Sequence, residues 1–210
     1  MKFKIIIAIV VFANTFIYAQ NASKAETILQ KVSTTLAQQN NITIEFTHTL
    51  ENKVVNIKQS SHGSAIIQGD KYLLKYLDNI IIFDEKNNYV ISPENEEVNI
   101  TPAHEIEDES LTPSKLLSFY KKGYTYELQK KEGEIQYIKL IPTQVSKEVS
   151  HIILGVNTVK NQITTLTEVG KNNTNTSFNI TSYKTNQTLA ANTFLFDKEK
   201  FKALDYYINE

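Results

Sequence analysis

The side chains best suited to proton transfer or metal binding are scattered along the sequence. The chain has four histidines, His48, His62, His104 and His151. No two of them have the four-residue spacing that places two imidazoles on one face of a helix. A lone histidine on a strand is more often structural or solvated than a metal ligand. The sequence therefore predicts neither a metal site nor a histidine-based catalytic centre.

The acidic run Glu105–Glu109 is the densest group of carboxylates. Crowded carboxylates can bind calcium, or repel one another until one of them acts as a general acid. The spacing and central glycine of a calcium-binding EF-hand loop are missing, and charge runs are usually solvated. The chain also lacks the GxSxG nucleophile motif and the glycine-rich loops that bind phosphates or dinucleotides. We therefore expect no catalytic or cofactor-binding residues, and a binding protein rather than an enzyme.

The first residues have the organisation of a secretory signal peptide. Lys2 and Lys4 precede an apolar run over residues 5–13, and Ala19 is a small residue suited to the cleavage site. The run is much shorter than the roughly 20 residues that a membrane-spanning helix needs. We expect residues 1–19 to be cleaved and the mature protein to be soluble in the periplasm. Since the chain has no cysteine, we expect neither a disulfide nor an acylated N-terminus.

The mature chain, residues 20–210, has a suitable length for one domain with a hydrophobic core. Its formal net charge is -1 before cleavage, and lysine, glutamate and aspartate are interspersed. No basic stripe or polybasic run is present, so nucleic acid and anionic membrane surfaces are poor candidates as partners. No internal repeat or linker divides the sequence. We therefore expect a single domain and a monomer.

The apolar pattern predicts one helix followed by a long series of strands. Ser23 and Glu26 form a capping box, and apolar residues at helical spacing follow. From Ile42 onward, apolar residues alternate with polar ones, as in a sheet with one solvated face. Short alternating segments separated by turns continue from there and indicate an antiparallel meander. We expect two of these turns at Gly63 and at Gly69–Asp70.

A second predicted helix interrupts the strands. Thr112 is a suitable cap, Pro113 a suitable first residue and Gly123 a suitable end. Strands resume after this helix. Near the end of the chain, residues 194–196 predict a further edge strand and residues 198–206 a short helical turn. The predicted fold class is α+β, mainly β.

Several segments resemble the LolA-type outer-membrane lipoprotein carriers of Gram-negative bacteria. Residues 44–50, IEFTHTL, resemble the first strand of that family, and Gly69–Tyr72 is similar to its next recognisable segment. Residues 84–93 match a DGK..W.Y.P run, with Tyr89 in place of the usual Trp. Residues 110–117 resemble the central Ser-Pro-Leu-Leu helix. The closing pattern of the family is matched by Phe178, Ile180, Asn186, Leu189, Phe194 and Phe196.

The resemblance implies an unclosed antiparallel β-barrel, a half-barrel, with helices covering its concave face. It also implies a periplasmic carrier that shields the acyl chains of lipoproteins and ferries them from the inner to the outer membrane. The implied partners are acylated lipoproteins as cargo, an inner-membrane ABC-type transporter as donor and an outer-membrane acceptor.

Such a carrier needs an apolar cavity, and the alternating strands and the second helix provide candidates for its lining. A filled hydrophobic core has the same pattern, so the sequence leaves both interpretations open. The candidates for the acyl-chain cavity are Ile44, Phe46, Tyr72, Leu74, Tyr76, Ile80 and Ile82. The candidates for the lid helix are Leu116, Leu117, Phe119 and Tyr120.

The chain departs from the family at Gln68–Gly69, where many carriers have Arg-Pro. In the family that arginine is thought to hold the lid closed, so a latch by charge-assisted hydrogen bonds is in doubt here. Three alternatives to a lipoprotein carrier remain open. The protein could carry another acylated lipid or a glycolipid. It could be a hydrolase or isomerase using His48, His151 and carboxylates, or a structural β-protein with a solid core.

Overall fold

The computed structural model describes residues 21–106 and 117–210. The proposed signal peptide, Leu116 and most of the predicted lid helix lie outside these residues. Two α-helices are described: α1 over residues 21–37 and α2 over Lys198–Ala203. The side chain of Asp197 caps α2 by accepting a hydrogen bond from the Lys200 amide at 3.0 Å. In the described part of the chain, neither helix combines the length and the apolar character needed to cross a bilayer.

Twelve strands account for most of the described chain. They are β1 (Ile42–Asn52), β2 (Ile57–Gln68), β3 (Lys71–Tyr76), β4 (Asn79–Phe83), β5 (Asn87–Ser92), β6 (Glu97–Pro102), β7 (Tyr124–Glu132), β8 (Ile135–Pro142), β9 (Val149–Asn157), β10 (Gln162–Gly170), β11 (Thr174–Thr185) and β12 (Tyr207–Asn209). Three short 3₁₀ turns lie at Pro93–Asn95, Ala103–Glu105 and Phe119–Lys121.

The strands are hydrogen-bonded in the order β12-β6-β5-β4-β3-β2-β1-β11-β10-β9-β8-β7. The sheet is open, with β12 and β7 as its terminal strands. Each strand pair from β2 to β6 and from β7 to β10 is antiparallel, whereas β12 pairs with β6 in parallel. The prediction of a mainly β fold on an unclosed antiparallel sheet is confirmed.

The chain forms two compact units. Among the described residues, the first comprises residues 21–37, Glu51–Ile57 and Tyr120–Ser177. Its core contains Ile138, Leu140, Leu154 and Val156 of β8 and β9, together with Ala25, Leu29 and Val32 of α1. The carboxylate of Glu26 on α1 interacts electrostatically with the Tyr126 hydroxyl of β7. We infer that the buried stripe of α1 lies against this part of the sheet.

The second unit comprises Gln38–Leu50, Lys58–Phe119 and Phe178–Glu210. Two predictions for it were wrong. The strand β2 runs through Gly63 without a turn, because this glycine marks a close approach of the Phe46 ring rather than a reversal. Residues 194–196 form no strand, and Phe196 instead packs its ring on Tyr89 and Phe201. The turn at Gly69, which has a φ of 60°, is confirmed.

Candidate functional site: the apolar face of β1 to β5

The strand register assigns each side chain of the second unit to one of two faces. Directly opposed residues of an antiparallel pair point to the same face, and neighbours along a strand alternate. In the β3–β4 pair, Tyr72 is opposite Phe83 and Leu74 is opposite Ile81. In the β2–β3 pair, Ala65 is opposite Leu74. These side chains therefore share one face, which continues onto β1 because the Phe46 ring lies over Gly63.

We call this surface the apolar face. Six of its side chains are buried, while Leu74, Ile81, Phe83 and Val90 are only partly buried. A face that mixes closed and partly open apolar side chains is suited to contact with a further apolar group. The residues of the apolar face are Ile42, Ile44, Phe46, Ala65, Ile67, Tyr72, Leu74, Ile81, Phe83 and Val90.

The opposite side of β3 to β6 is covered by the chain itself. Its core is Ile82, Ile91 and Val98, all buried. The C-terminal segment packs on this core through Phe196, Phe201, Tyr206 and Ile208. The Phe196 ring stacks on Tyr89 with centroids 4.6 Å apart, and on Phe201 at 5.3 Å. We call this side the covered face.

The seven predicted lining residues therefore divide between the two faces. Ile44, Phe46, Tyr72, Leu74 and Tyr76 point to the apolar face. Ile80 and Ile82 point to the covered face, where they belong to the core under the C-terminal segment.

The reason for this division is the two-residue turn Leu77–Asp78, in which both residues have positive φ, 48° and 59°. It pairs Tyr76 with Asn79, so that even-numbered residues of β3 share a face with odd-numbered residues of β4. The sequence-based prediction assigned the even-numbered residues of both strands to one face, and for β4 this was wrong. The residues Ile81 and Phe83 take the places that were predicted for Ile80 and Ile82.

The described part of the predicted lid has mixed exposure. Leu117 and Tyr120 are buried, and Phe119 is partly buried. Residues Phe119–Lys121 form a 3₁₀ turn rather than the last turn of an α-helix. The Tyr120 carbonyl accepts a hydrogen bond from the Tyr126 hydroxyl at 2.7 Å. The role of these residues as a lid stays a prediction, and Leu116 lies outside the described residues.

A row of polar side chains bounds the apolar face at the end where β3 turns into β4. Ser61 donates to the Tyr76 hydroxyl at 3.5 Å, and the Tyr76 hydroxyl shares a hydrogen bond of 2.7 Å with Nδ1 of His48. The His48 ring also lies 4.8 Å from Phe178, centroid to centroid. The sequence placed His48 on the apolar side of β1 but gave no indication of Tyr76 or Ser61 as its partners, because that requires the register of three strands.

Burial lowers the pKa of His48 below its usual value of 6.5. A neutral imidazole whose proton is on Nε2 can accept from the Tyr76 hydroxyl at Nδ1, which is compatible with the lowered pKa. Unfolding returns the side chain to water and restores the ordinary pKa.

The lowered pKa predicts a pH dependence of stability. Between the pKa of His48 in the folded protein and 6.5, the unfolded chain binds more protons than the folded one. The stabilisation that comes from a neutral His48 is therefore fully present above pH 6.5 and is lost as the pH falls through the folded-state pKa. We expect the urea midpoint to fall on acidification and to fall less in His48→Gln. The pKa of His151 is also lowered by burial, so His151→Gln should likewise reduce the fall of the urea midpoint on acidification. Equal acid sensitivity of His48→Gln and the parent protein would contradict the assignment.

Gln68, the residue at the position of the family arginine, lies on a separate cleft of about 540 Å³ in the second unit. Lys71, Asp84 and Lys86 also line this cleft, and its floor includes the buried Phe194. Lys71 forms an ion pair with Glu85 at 3.8 Å, in which the Lys71 side chain is 39% exposed and that of Glu85 52%. Gln68 itself is exposed. Within residues 21–106 and 117–210, no three His, Asp or Glu side chains are grouped so that they could hold a metal ion.

Comparisons with known proteins agree with this architecture. The family model of the outer membrane lipoprotein carrier protein LolA matches residues 15–167. No curated protein sequence is significantly similar to the chain. An uncharacterised conserved protein from Thermus thermophilus superposes with a TM-score of 0.54 at 12% identity, covering 88% of this chain and 98% of that one.

Two further solved structures are similar. The structure of MucB has a TM-score of 0.50 at 12% identity and covers 84% of this chain and 64% of its own. A putative outer membrane lipoprotein-sorting protein domain from Vibrio parahaemolyticus has a TM-score of 0.45 at 12% identity and covers 87% of this chain and all of its own. At 12% identity, the Thermus thermophilus protein and MucB show a shared fold alone. The family match spans well over half of the sequence, and the chain therefore belongs to the LolA family of outer membrane lipoprotein carrier proteins.

Proposed function

We propose that this protein is a periplasmic carrier that shields the acyl chains of lipoproteins and ferries them from the inner to the outer membrane. An inner-membrane ABC-type transporter would supply the cargo, and an outer-membrane acceptor would receive it. The observation that supports the proposal most directly is the apolar face of the second unit, in a chain that belongs to a family of carriers.

The energetics explain why a carrier of this kind is needed. Each methylene group costs about 0.8 kcal/mol to expose to water, so one palmitoyl-length chain costs on the order of 12 kcal/mol. A lipoprotein with two or three such chains cannot cross an aqueous space unaided. The apolar face would replace that exposure with contacts to hydrocarbon side chains.

Release must also be possible without an energy source in the periplasm, which favours non-directional contacts over polar anchors. The apolar face meets this requirement, since its partly buried members Leu74, Ile81, Phe83 and Val90 all have hydrocarbon side chains. The hydroxyls and imidazole of Ser61, Tyr76 and His48 lie at its end. Such groups suit the ester or amide linkage at which an acyl chain ends.

The experiment that tests the proposal places a polar group on each face in turn. Leu74 and Ile81 are directly opposed on the apolar face, and we expect Leu74→Asn and Ile81→Asn each to weaken binding of a fluorescent fatty-acid probe roughly tenfold or more. Ile66 is partly buried in the same sheet but faces the other way. Ile66→Asn is therefore the matched control and should leave probe affinity unchanged.

The outcomes separate the open alternatives. If the parent protein binds no probe, the structural β-protein with a solid core is favoured. If all three variants lose binding equally, the probe does not occupy the apolar face. Mass spectrometry of lipid that copurifies with the protein distinguishes acylated lipoproteins from a glycolipid cargo. Depletion of the protein in its host should leave lipoproteins in the inner membrane, and normal sorting would overturn the lipoprotein assignment.

A further inference from the structure

Three loops of the first unit are tied together at one end of the sheet. They connect β1 to β2 (residues 53–56), β8 to β9 (residues 143–148) and β10 to β11 (residues 171–173). Nδ2 of the Asn52 side chain donates to the Asn172 carbonyl at 3.3 Å and to the Thr174 hydroxyl at 2.9 Å. Lys171 joins the other two loops, since its Nζ donates to the Ser146 carbonyl and its backbone amide to the Glu148 carbonyl, both at 2.8 Å. We call these three loops the loop edge.

The loop edge exposes apolar side chains at its tips. Val54 is 72% exposed, Val55 59% and Val145 93%. Single exposed apolar residues are ordinary on protein surfaces, but a group of them on adjoining loops indicates a binding surface.

The β1–β2 tip is held in place by hydrogen bonds rather than being loose. The Asn52 carboxamide oxygen accepts from the amides of Val54 at 3.0 Å and Val55 at 3.4 Å. Asn56 completes the reversal with a φ of 54°. The valines are therefore presented outward without any rearrangement.

Among the described residues, lysines outnumber carboxylates at this end. Lys53, Lys147 and Lys171 lie in the three loops and are exposed, and they are opposed by Glu51, Glu148 and Glu168. Lys121 and Lys122 precede β7, which begins beside the same end because the Thr143 amide donates to the Gly123 carbonyl at 2.9 Å. Apart from the adjacent pair Lys121 and Lys122, these lysines are far apart in the sequence, so no polybasic run indicates them. The fold brings them to the same end of the unit. The absence of a polybasic run in the sequence is therefore no argument against binding of an anionic membrane surface at this edge.

We propose that the loop edge docks on the surface of an anionic lipid bilayer, with the valines inserted among the headgroups and the lysines beside the phosphates. Interfacial binding of this kind combines buried apolar area with attraction to anionic lipids. The composition favours a bilayer over a protein partner, because protein interfaces are enriched in aromatic residues and none lies in residues 53–56, 143–148 or 171–173. The inference goes beyond the proposed function and does not depend on it, since it concerns the protein without cargo.

The test is cosedimentation of the cargo-free protein with protein-free vesicles of phosphatidylethanolamine and phosphatidylglycerol. We expect binding that weakens with added salt and is lost on vesicles of phosphatidylcholine alone. The double variant Val54→Asp, Val55→Asp should bind at least about tenfold more weakly. Val159 is 68% exposed on the β9–β10 loop at the opposite end of the same unit. Val159→Asp adds the same kind of charge there and should bind like the parent protein.

Several results would overturn the proposal. One is equal binding by the double variant and Val159→Asp, and another is the absence of binding by the parent protein to anionic vesicles. A third is binding only to native membranes with their proteins, which would assign the loop edge to a protein partner. Fatty-acid probe binding, measured on the same samples, shows separately whether the carrier proposal fails. A double variant that keeps probe affinity is folded and has lost membrane docking alone.

Discussion

Replacement of Gly63 by valine should lower the free energy of unfolding by about 3 kcal/mol, at the upper end of typical overpacking costs. A Cβ atom at this position would lie 2.8 Å from Cε2 of Phe46, closer still to its Cζ, and 3.0 Å from the Lys75 carbonyl oxygen. The Phe46 ring has little room to retreat, because it is buried against Tyr76 and Phe178 with centroids 5.8 Å and 5.9 Å away. Urea unfolding of the purified protein measures the effect.

The control is the neighbouring residue on the other side of β2. Ser64→Val adds a β-branched side chain to the same strand where the register points it to the opposite face, and it should change stability by less than about 1 kcal/mol. The double variant Gly63→Ala, Phe46→Leu should lose less stability than the two single variants together, because the shorter side chain at position 46 leaves room for the new Cβ. Additive losses in the double variant would show that Phe46 is not the group that excludes a Cβ.

The second large effect is expected at Asn41, which is 6% exposed. Its Nδ2 donates to the Gln187 carbonyl at 2.8 Å, and its Oδ1 accepts from the Gln187 amide at 2.9 Å. Asn41→Ala would leave both backbone groups without these partners. At roughly 1–3 kcal/mol for each buried polar group left unsatisfied, we expect a loss of about 3 kcal/mol in unfolding free energy.

Asn186 is the matched control for Asn41. Its side chain bonds the Asn40 amide at 2.8 Å and the Gln39 side chain at 2.9 Å, but both bonds are exposed to solvent. Because Asn186 has a φ of 54°, at which alanine is strained, the control substitution is Asn186→Gly. It should cost less than about 1.5 kcal/mol, as for an ordinary solvated hydrogen bond. Equal losses for Asn41→Ala and Asn186→Gly would contradict the role of burial. Limited proteolysis after residue 187 is a second measurement, since the chain beyond it covers the core of β3 to β6.

The local elements were largely predictable from the sequence. The capping box predicted at Ser23 was wrong, because α1 is already helical at residue 21. The helical spacing that follows it, the strand alternation from Ile42, the turn at Gly69 and the helical turn after residue 197 all agree with the structure. Each of these signals is contained within a few neighbouring residues. The conformation of residues 194–196 was not predictable in this way. Three consecutive apolar residues can form a strand of a sheet or pack their side chains against a sheet, and the sequence pattern is the same in both cases.

The site was only partly predictable, because its composition depends on which strands are neighbours. Alternation identified Tyr72, Leu74 and Tyr76 as one set, and the register confirms that they share a face. The prediction that Ile80 shares this face was wrong. Across the two-residue β3–β4 turn, even-numbered residues of β3 share a face with odd-numbered residues of β4. The hydrogen bond between His48 and Tyr76 joins strands that are not consecutive, so no periodicity could reveal it.

The parallel pairing of β12 with β6 has a consequence for the behaviour of the protein at high concentration. Tyr207, Ile208 and Asn209 occupy the edge of β6 opposite Glu97, Val98 and Asn99. An uncovered edge strand offers free amide and carbonyl groups to any passing chain, and is a common start of ordered aggregation. The three-residue strand β12 therefore occupies the backbone hydrogen-bonding groups of β6 next to the buried Val98, so that a strand of another molecule cannot pair with them.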